Sequence, residues 1–125
     1  AAGGVGVSLK AFFNATIVNG MDAIIKILIN PTMLEKACCI ITSEGMLDNQ
    51  SFDGKVISGL LNVKKTYNMP LYAIVGQTSG LSFEQRQKFD AIITLKEPTM
   101  TTKQAMDNAL ELLKQRTKEL CQKYL

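Results

Sequence analysis

The chain contains no histidine. That excludes Ser-His and Cys-His nucleophilic machinery, a histidine general base and histidine metal sites from these residues. Cysteine is scarce: Cys38 and Cys39 are adjacent in an apolar run, and Cys121 lies near the C-terminus. An odd count with no CxxC pair gives neither a disulfide framework nor a zinc site. The adjacent pair is expected to be buried and reduced, as in a cytoplasmic protein. No apolar run reaches membrane-spanning length and no signal peptide is visible, so no membrane partner is expected. A strong excess of one charge is also missing. The net charge is only +3, the basic residues are scattered, and nothing suggests a nucleic-acid partner.

What is present fits one folded domain: 125 residues, 46% hydrophobic and 20% charged. A chain of this size can bury a core without disulfides. Its opening, Ala1-Ala2-Gly3-Gly4, has no methionine and reads as the middle of a longer protein. We therefore expect a fragment that lacks the N-terminal part of its parent. It should be inactive alone and open to self-association through an uncovered apolar face.

The chain is organised around residues 42–55, TSEGMLDNQSFDGK, its most polar and turn-rich run. The stretch follows the apolar run Ala37-Cys38-Cys39-Ile40-Ile41. A buried strand opening into a polar, glycine-bearing loop is where open α/β sheets bind ligands.

Residues 1–6 form a small-residue turn, and the spacing of Leu9, Phe12 and Phe13 predicts a helix over 7–13. A helix entered from a glycine loop can hold an anion, although Gly4-Val5-Gly6 is only the opening of a dinucleotide fingerprint. A second helix is expected over 21–29, stopped by Asn30-Pro31, and a short turn over 33–36 capped by Thr32. Residues 38–42 read as a strand buried on both faces. A helix follows over 57–67, then strands over 71–75 and 91–95, with a short turn over 82–88 capped by Ser82 between them. The clearest helix covers 101–124. Thr101 and Gln104 form its capping box, Met106, Leu110, Leu113, Leu120 and Tyr124 its stripe, and Glu119 and Lys123 a surface pair. Strands alternating with helices imply an α/β fold, with a parallel sheet of about three strands flanked by helices, Rossmann-like. Parallel strands bring the segments after Thr42 and Val75 to one edge, where the N-terminal glycine turn can join them.

Glu44 and Asp48 can converge on a hard cation such as Mg²⁺ bridging to phosphate, or one of them can accept a proton from a hydroxyl. Lys55 after Gly54 can place an ammonium on phosphate. This is no Walker A loop, because Asn49 stands five residues before Gly54 where that loop needs glycine. Phosphoryl transfer relies on positioning and charge neutralisation, so a histidine-free site is acceptable. Equally, Asp48, Asn49, Ser51 and Asp53 suit turns and caps. Gln77, Thr78 and Ser79 suit either sugar-acid and phosphate contacts or a solvated turn.

Ala1-Ala2-Gly3-Gly4-Val5-Gly6 resembles the AAGGxG segment of type 1 glycerate kinases. Residues 41–59, ITSEGMLDNQSFDGKVISG, resemble that family's ITGEGRxDxQTxxGKxPxG signature. The resemblance covers nearly the whole chain and corresponds to the C-terminal third of such an enzyme. It implies ATP-dependent phosphorylation of D-glycerate to a phosphoglycerate, with Mg²⁺. It assigns catalytic roles to Glu44, Asp48 and Lys55, with Glu44 and Asp48 toward the metal. Substrate and phosphate contacts fall to Gly3, Gly4 and Gly6 and to Ser43, Gly45, Gln50, Ser51 and Gly54, and, on their side-chain chemistry rather than the resemblance, to Gln77 and Thr78. Ser43 replaces a glycine of the pattern, Met46 an arginine and Ile57 a proline. Methionine cannot imitate a planar bidentate donor. Those departures keep a second reading open: a non-catalytic α/β module that binds a small anion or a partner domain.

Overall fold

The computed structural model describes every residue except Ala1, Asn19, Ile29 and Gly54, and describes Asp22, Lys26, Leu28 and Lys55 by backbone alone. Three runs rich in β-branched residues form the sheet: β1 (Ile40–Leu47), β2 (Leu71–Thr78) and β3 (Ala91–Thr94). All pair in parallel, in the order β1-β2-β3. The helices are α1 (Val5–Phe13), α2 (Gly20–Leu28), α3 (Pro31–Lys36), α4 (Asn49–Asp53), α5 (Lys55–Tyr67), α6 (Phe83–Gln87), α7 (Thr102–Asp107) and α8 (Ala109–Tyr124). The expected α/β architecture is present.

The central strand carries the core. Leu71, Ala73 and Val75 of β2 pack with Leu47, Ile57 and Phe89 on one face, while Tyr72 and Ile74 pack with Leu120 of α8 on the other. Residues 71–75 are buried on both sides, as a strand between two helical layers must be. Ile57, where the family pattern has proline, is fully buried in the α5-side cluster and so contributes to the core. Gly59 lets α2 cross α5, because a Cβ there would lie 2.4 Å from Met21 Cγ.

Several expectations are corrected. β1 is an edge strand with alternating exposure, not one buried on both faces, and it starts at Ile40, after both cysteines. Cys38 is exposed and Cys39 half-buried, so the pair is not sealed in the core. The ladder also runs further than the apolar runs do, because its hydrogen bonds use backbone groups and tolerate polar side chains at the open end of the sheet. Ser43 and Glu44 pair with Ile74 and Val75, and Met46 pairs with Gln77. Asn30 rather than Thr32 caps α3: its side chain accepts from Thr32 N–H at 3.0 Å, with Pro31 opening the helix.

The expected single C-terminal helix breaks at Asn108 (φ −104°, ψ 12°). The Asn108 amide donates to Gln104 O at 2.9 Å, a local bond that competes with the helical ladder. The break changes which residues face inward. Ala105, Leu112 and Leu120 are buried, whereas Met106 and Leu110 are exposed. Glu119 accepts from Arg116 at 2.8 Å rather than pairing with Lys123. Arg116 also donates to Glu97 at 2.6 Å, tying the segment after β3 to α8. The Ser82 cap and the Thr101/Gln104 capping box form as expected.

At the opposite end of the sheet, the Asp90 carboxylate accepts from Lys64 and from Leu71 N–H. Burial pushes the Asp90 carboxyl up, but the bonds from Lys64 and Leu71 outweigh it and hold the group below the ordinary carboxylate range. A depressed folded-state value means the stabilisation is present above the unfolded pKa and is lost as pH falls through the folded one. Asp90→Asn is therefore expected to cost no more than about 1 kcal/mol at pH 7, since the pair is partly exposed. The difference from the parent should begin to shrink as pH falls below ~4, the unfolded carboxylate's range, and vanish only below the lowered folded-state value. Urea titrations of both proteins across pH 2–7 check this, and a constant difference would contradict it.

Candidate functional site

The C-terminal ends of β1 and β2 form one rim, as parallel pairing requires. Ser43, Glu44 and Gly45 lie within β1, and Gly76, Gln77 and Thr78 within β2, so these are strand ends rather than loops. The two strands come unusually close here. A Cβ on Gly76 would sit 2.3 Å from the Gly45 carbonyl oxygen. Beyond them Gln77 Nε2 donates to Met46 Sδ at 3.5 Å, so the methionine in the signature arginine's place contacts a candidate binding residue.

Between this rim and the α7–α8 helices lies a cavity of about 400 Å³. Its polar residues are Ser43, Glu44, Gln77, Lys96 and Thr102, with Gly45 and Gly76 at the strand ends. Its apolar wall is Ile74, Leu95, Ala105, Met106, Ala109 and Leu113. Lys96 Nζ donates to Thr102 Oγ1 at 3.4 Å. A concave, largely apolar site with a few polar groups at the carboxyl ends of parallel strands is the usual ligand position in such sheets.

The structure thus brings Ser43, Glu44, Gly45 and Gln77 together and leaves other candidates apart. Asp48 and Ser51 cap α4: Asp48 Oδ1 accepts from Ser51 N–H at 3.0 Å, and Ser51 Oγ accepts from Asp48 N–H at 3.2 Å. Gln50 is exposed on that helix, and Thr78 pairs with Leu47. Gly3 and Gly4 take positive φ (59° and 85°) in a 3₁₀ turn, and Gly6 lies inside α1, which begins at Val5. None of these three lines the cavity, so the glycine turn does not join the rim. Gly54 and the Lys55 side chain lie outside the described residues; the Lys55 backbone opens α5.

Glu44 lies within β1 and lines the cavity, whereas Asp48 follows the strand, does not line the cavity and has its carboxylate held by Ser51 N–H at the start of α4. Among the described residues, no group of three or more carboxylates and thiols could hold a metal ion.

Asp48→Ala is expected to cost about 1 kcal/mol through the lost cap, and Asp48→Asn only a few tenths, because asparagine caps equally well. Thermal or urea unfolding of the two variants separates these outcomes. Equal losses would remove the capping role.

The sequence reading missed Lys96, Thr102 and the α7–α8 wall. A signal was available: β3 is parallel, so the residue after it had to reach the same edge as the ends of β1 and β2.

This geometry defines an α/β unit with a cavity at the carboxyl ends of its parallel strands. The glycerate kinase family model matches residues 1–125. The chain is 31% identical to glycerate 2-kinase of Escherichia coli K12 over 112 residues, covering 89% of this chain and 29% of that one. It is 30% identical to glycerate kinase of Halalkalibacterium halodurans over 122 residues, covering 96% of this chain and 32% of the relative. A Salmonella typhimurium LT2 protein crystallised as a candidate glycerate kinase 2 superposes with a TM-score of 0.60 at 34% identity, over 87% of this chain and 28% of that one. The chain belongs to the glycerate kinase family and spans about a third of its relatives' length.

Proposed function

We propose that this chain forms one wall of the active site of a cytoplasmic glycerate kinase, an ATP-dependent phosphotransferase that converts D-glycerate to a phosphoglycerate. The observation that carries this reading is the cavity at the strand ends. The first half of the family signature lines it through Ser43, Glu44 and Gly45. In the reaction a glycerate hydroxyl oxygen bonds to the γ-phosphorus, the bridging P–O bond to the β-phosphate breaks, and ADP leaves with that electron pair. The hydroxyl proton passes to a carboxylate. Glu44 is the candidate for it, because it stands at the strand-end rim while Asp48 already caps α4; paired with Val75, it lies on the α5 face of the sheet, opposite Ser43. Lys96 at the rim neutralises phosphate charge, and the family signature gives Lys55 the same role. Bound Mg²⁺ would supply further neutralisation of the phosphate oxygens; Glu44, the one carboxylate lining the cavity, would serve either as its ligand or as the proton acceptor, not as both at once.

The isolated chain is expected to be inactive, because a kinase site needs two sides of a cleft. α1 exposes Val7, Phe12 and Phe13 at 71%, 82% and 77%. Such apolar exposure marks a covered surface in a larger protein, so the isolated chain should self-associate. Sedimentation at increasing concentration tests this, and a strictly monomeric chain would contradict it.

The reading is tested by D-glycerate-dependent formation of ADP from Mg-ATP by the full-length protein. A second reading, a non-catalytic module for small anions or a partner domain, is favoured by Met46 in place of the signature arginine. Thermal stabilisation by inorganic phosphate but not by ATP would support it.

A further inference from the structure

We propose that the cavity between the strand ends and the α7–α8 face receives the adenosine part of the nucleotide rather than glycerate; this rests on the kinase reading above. Glycerate is a small acid in which every carbon carries oxygen. It has no apolar surface to set against Leu95, Met106 and Leu113, and burying its polar groups there without partners is unfavourable. A purine has the opposite character, with two flat apolar faces and a polar edge.

The cavity volume, about 400 Å³, lies within the range of small-molecule sites. Ala105 and Ala109 keep the helix side shallow, which leaves room for a flat ring between it and the sheet. Met106 is 72% exposed, free to close over such a ring, and thioethers pack well against aromatic systems. Ser43 pairs in register with Ile74, so strand alternation places it on the sheet face that α8 covers, where its hydroxyl can meet the polar edge or a ribose hydroxyl. Lys96 and Thr102 complete the rim, and the ammonium complements the negative phosphates that an apolar wall could not accept. Adenosine in the cavity directs its phosphates toward this cation and leaves Glu44, paired with Val75 on the other face of the strand ends, to the glycerate hydroxyl.

The test is photolabelling of the full-length protein with 8-azido-ATP, followed by tryptic digestion. Cleavage after Lys103 and Lys114 releases residues 104–114, which carry Ala105, Met106, Ala109 and Leu113. Label is expected on this peptide, displaced by ATP and by adenosine but not by D-glycerate. Met106→Glu, which sets a charge against the ring and the phosphates, is expected to raise KM for ATP about tenfold and leave KM for D-glycerate within about twofold. Turnover of glycerate with the label elsewhere overturns the inference and leaves the kinase reading standing. Label on 104–114 without glycerate turnover supports the nucleoside site and sinks the substrate assignment. Neither label nor turnover removes both. A shift in the glycerate KM alone also overturns the inference.

Discussion

Gly76→Ala is expected to destabilise the protein by about 3 kcal/mol, at the upper end of what overpacking costs. The added Cβ would lie 2.3 Å from the Gly45 carbonyl oxygen, a distance that side-chain rotation cannot relieve because the neighbour is backbone. Either β1 or β2 must move, and their ladder is the most extensive contact in the sheet. Gly45→Ala is the matched control. A Cβ at Gly45 meets nothing within 4 Å, so that variant should unfold within about 1 kcal/mol of the parent, on either side. Urea midpoints of the two variants decide the matter. Folded domains are stable by only about 5–15 kcal/mol, so the Gly76 loss should be plain. Equal midpoints would show that the strands do not approach at the rim as described. Because the same two glycines line the cavity, Gly76→Ala should also impair ligand binding under conditions where the protein is still folded.

The second large effect concerns Glu44. If it accepts the hydroxyl proton, Glu44→Gln should lower kcat by a factor of about 10²–10⁴, the usual contribution of a positioned base. The change is nearly isosteric at a half-buried strand position, so stability should move little. Asp48→Asn provides the comparison. It keeps the α4 cap, and any fall in its activity therefore reports chemistry and not folding. The account expects Glu44→Gln to fall far further than Asp48→Asn. The reverse order would transfer the base to Asp48 and require its carboxylate to leave the cap during turnover. Steady-state kinetics with D-glycerate and ATP varied in turn, alongside unfolding curves, separate the cases.

The alternation of strands and helices was legible because local patterns agreed with the global fold: isoleucine-rich runs bounded by glycine and proline, and capping pairs at Ser82 and Thr101. Strand ends were less legible. Residues 43–46 and 76–78 are polar and glycine-bearing, so they read as loops, yet the backbone ladder continues through them beside a paired neighbour. The break at Asn108 depends on one side-chain bond to Gln104 O, which periodicity does not register.

The site divided along the same line. Ser43, Glu44, Gly45 and Gln77 stand at the rim because they follow apolar runs that form strands. Asp48 was drawn in by its spacing from Glu44 and Ser51 by its place in the signature, and the turn-and-cap alternative describes their geometry. The apolar wall escaped notice because Ala105, Met106, Ala109 and Leu113 read as an ordinary helix face. Only the placement of α7 and α8 over the strand ends makes it half of a cavity.

The most direct test of the central claim is ADP formation by the full-length protein with D-glycerate and Mg-ATP, measured beside Glu44→Gln and Met46→Arg. The account predicts glycerate-dependent turnover in the parent, its collapse in Glu44→Gln, and equal or higher turnover in Met46→Arg, where a bidentate anion donor is restored beside Gln77. No glycerate-dependent ADP above background in any of the three proteins would contradict it.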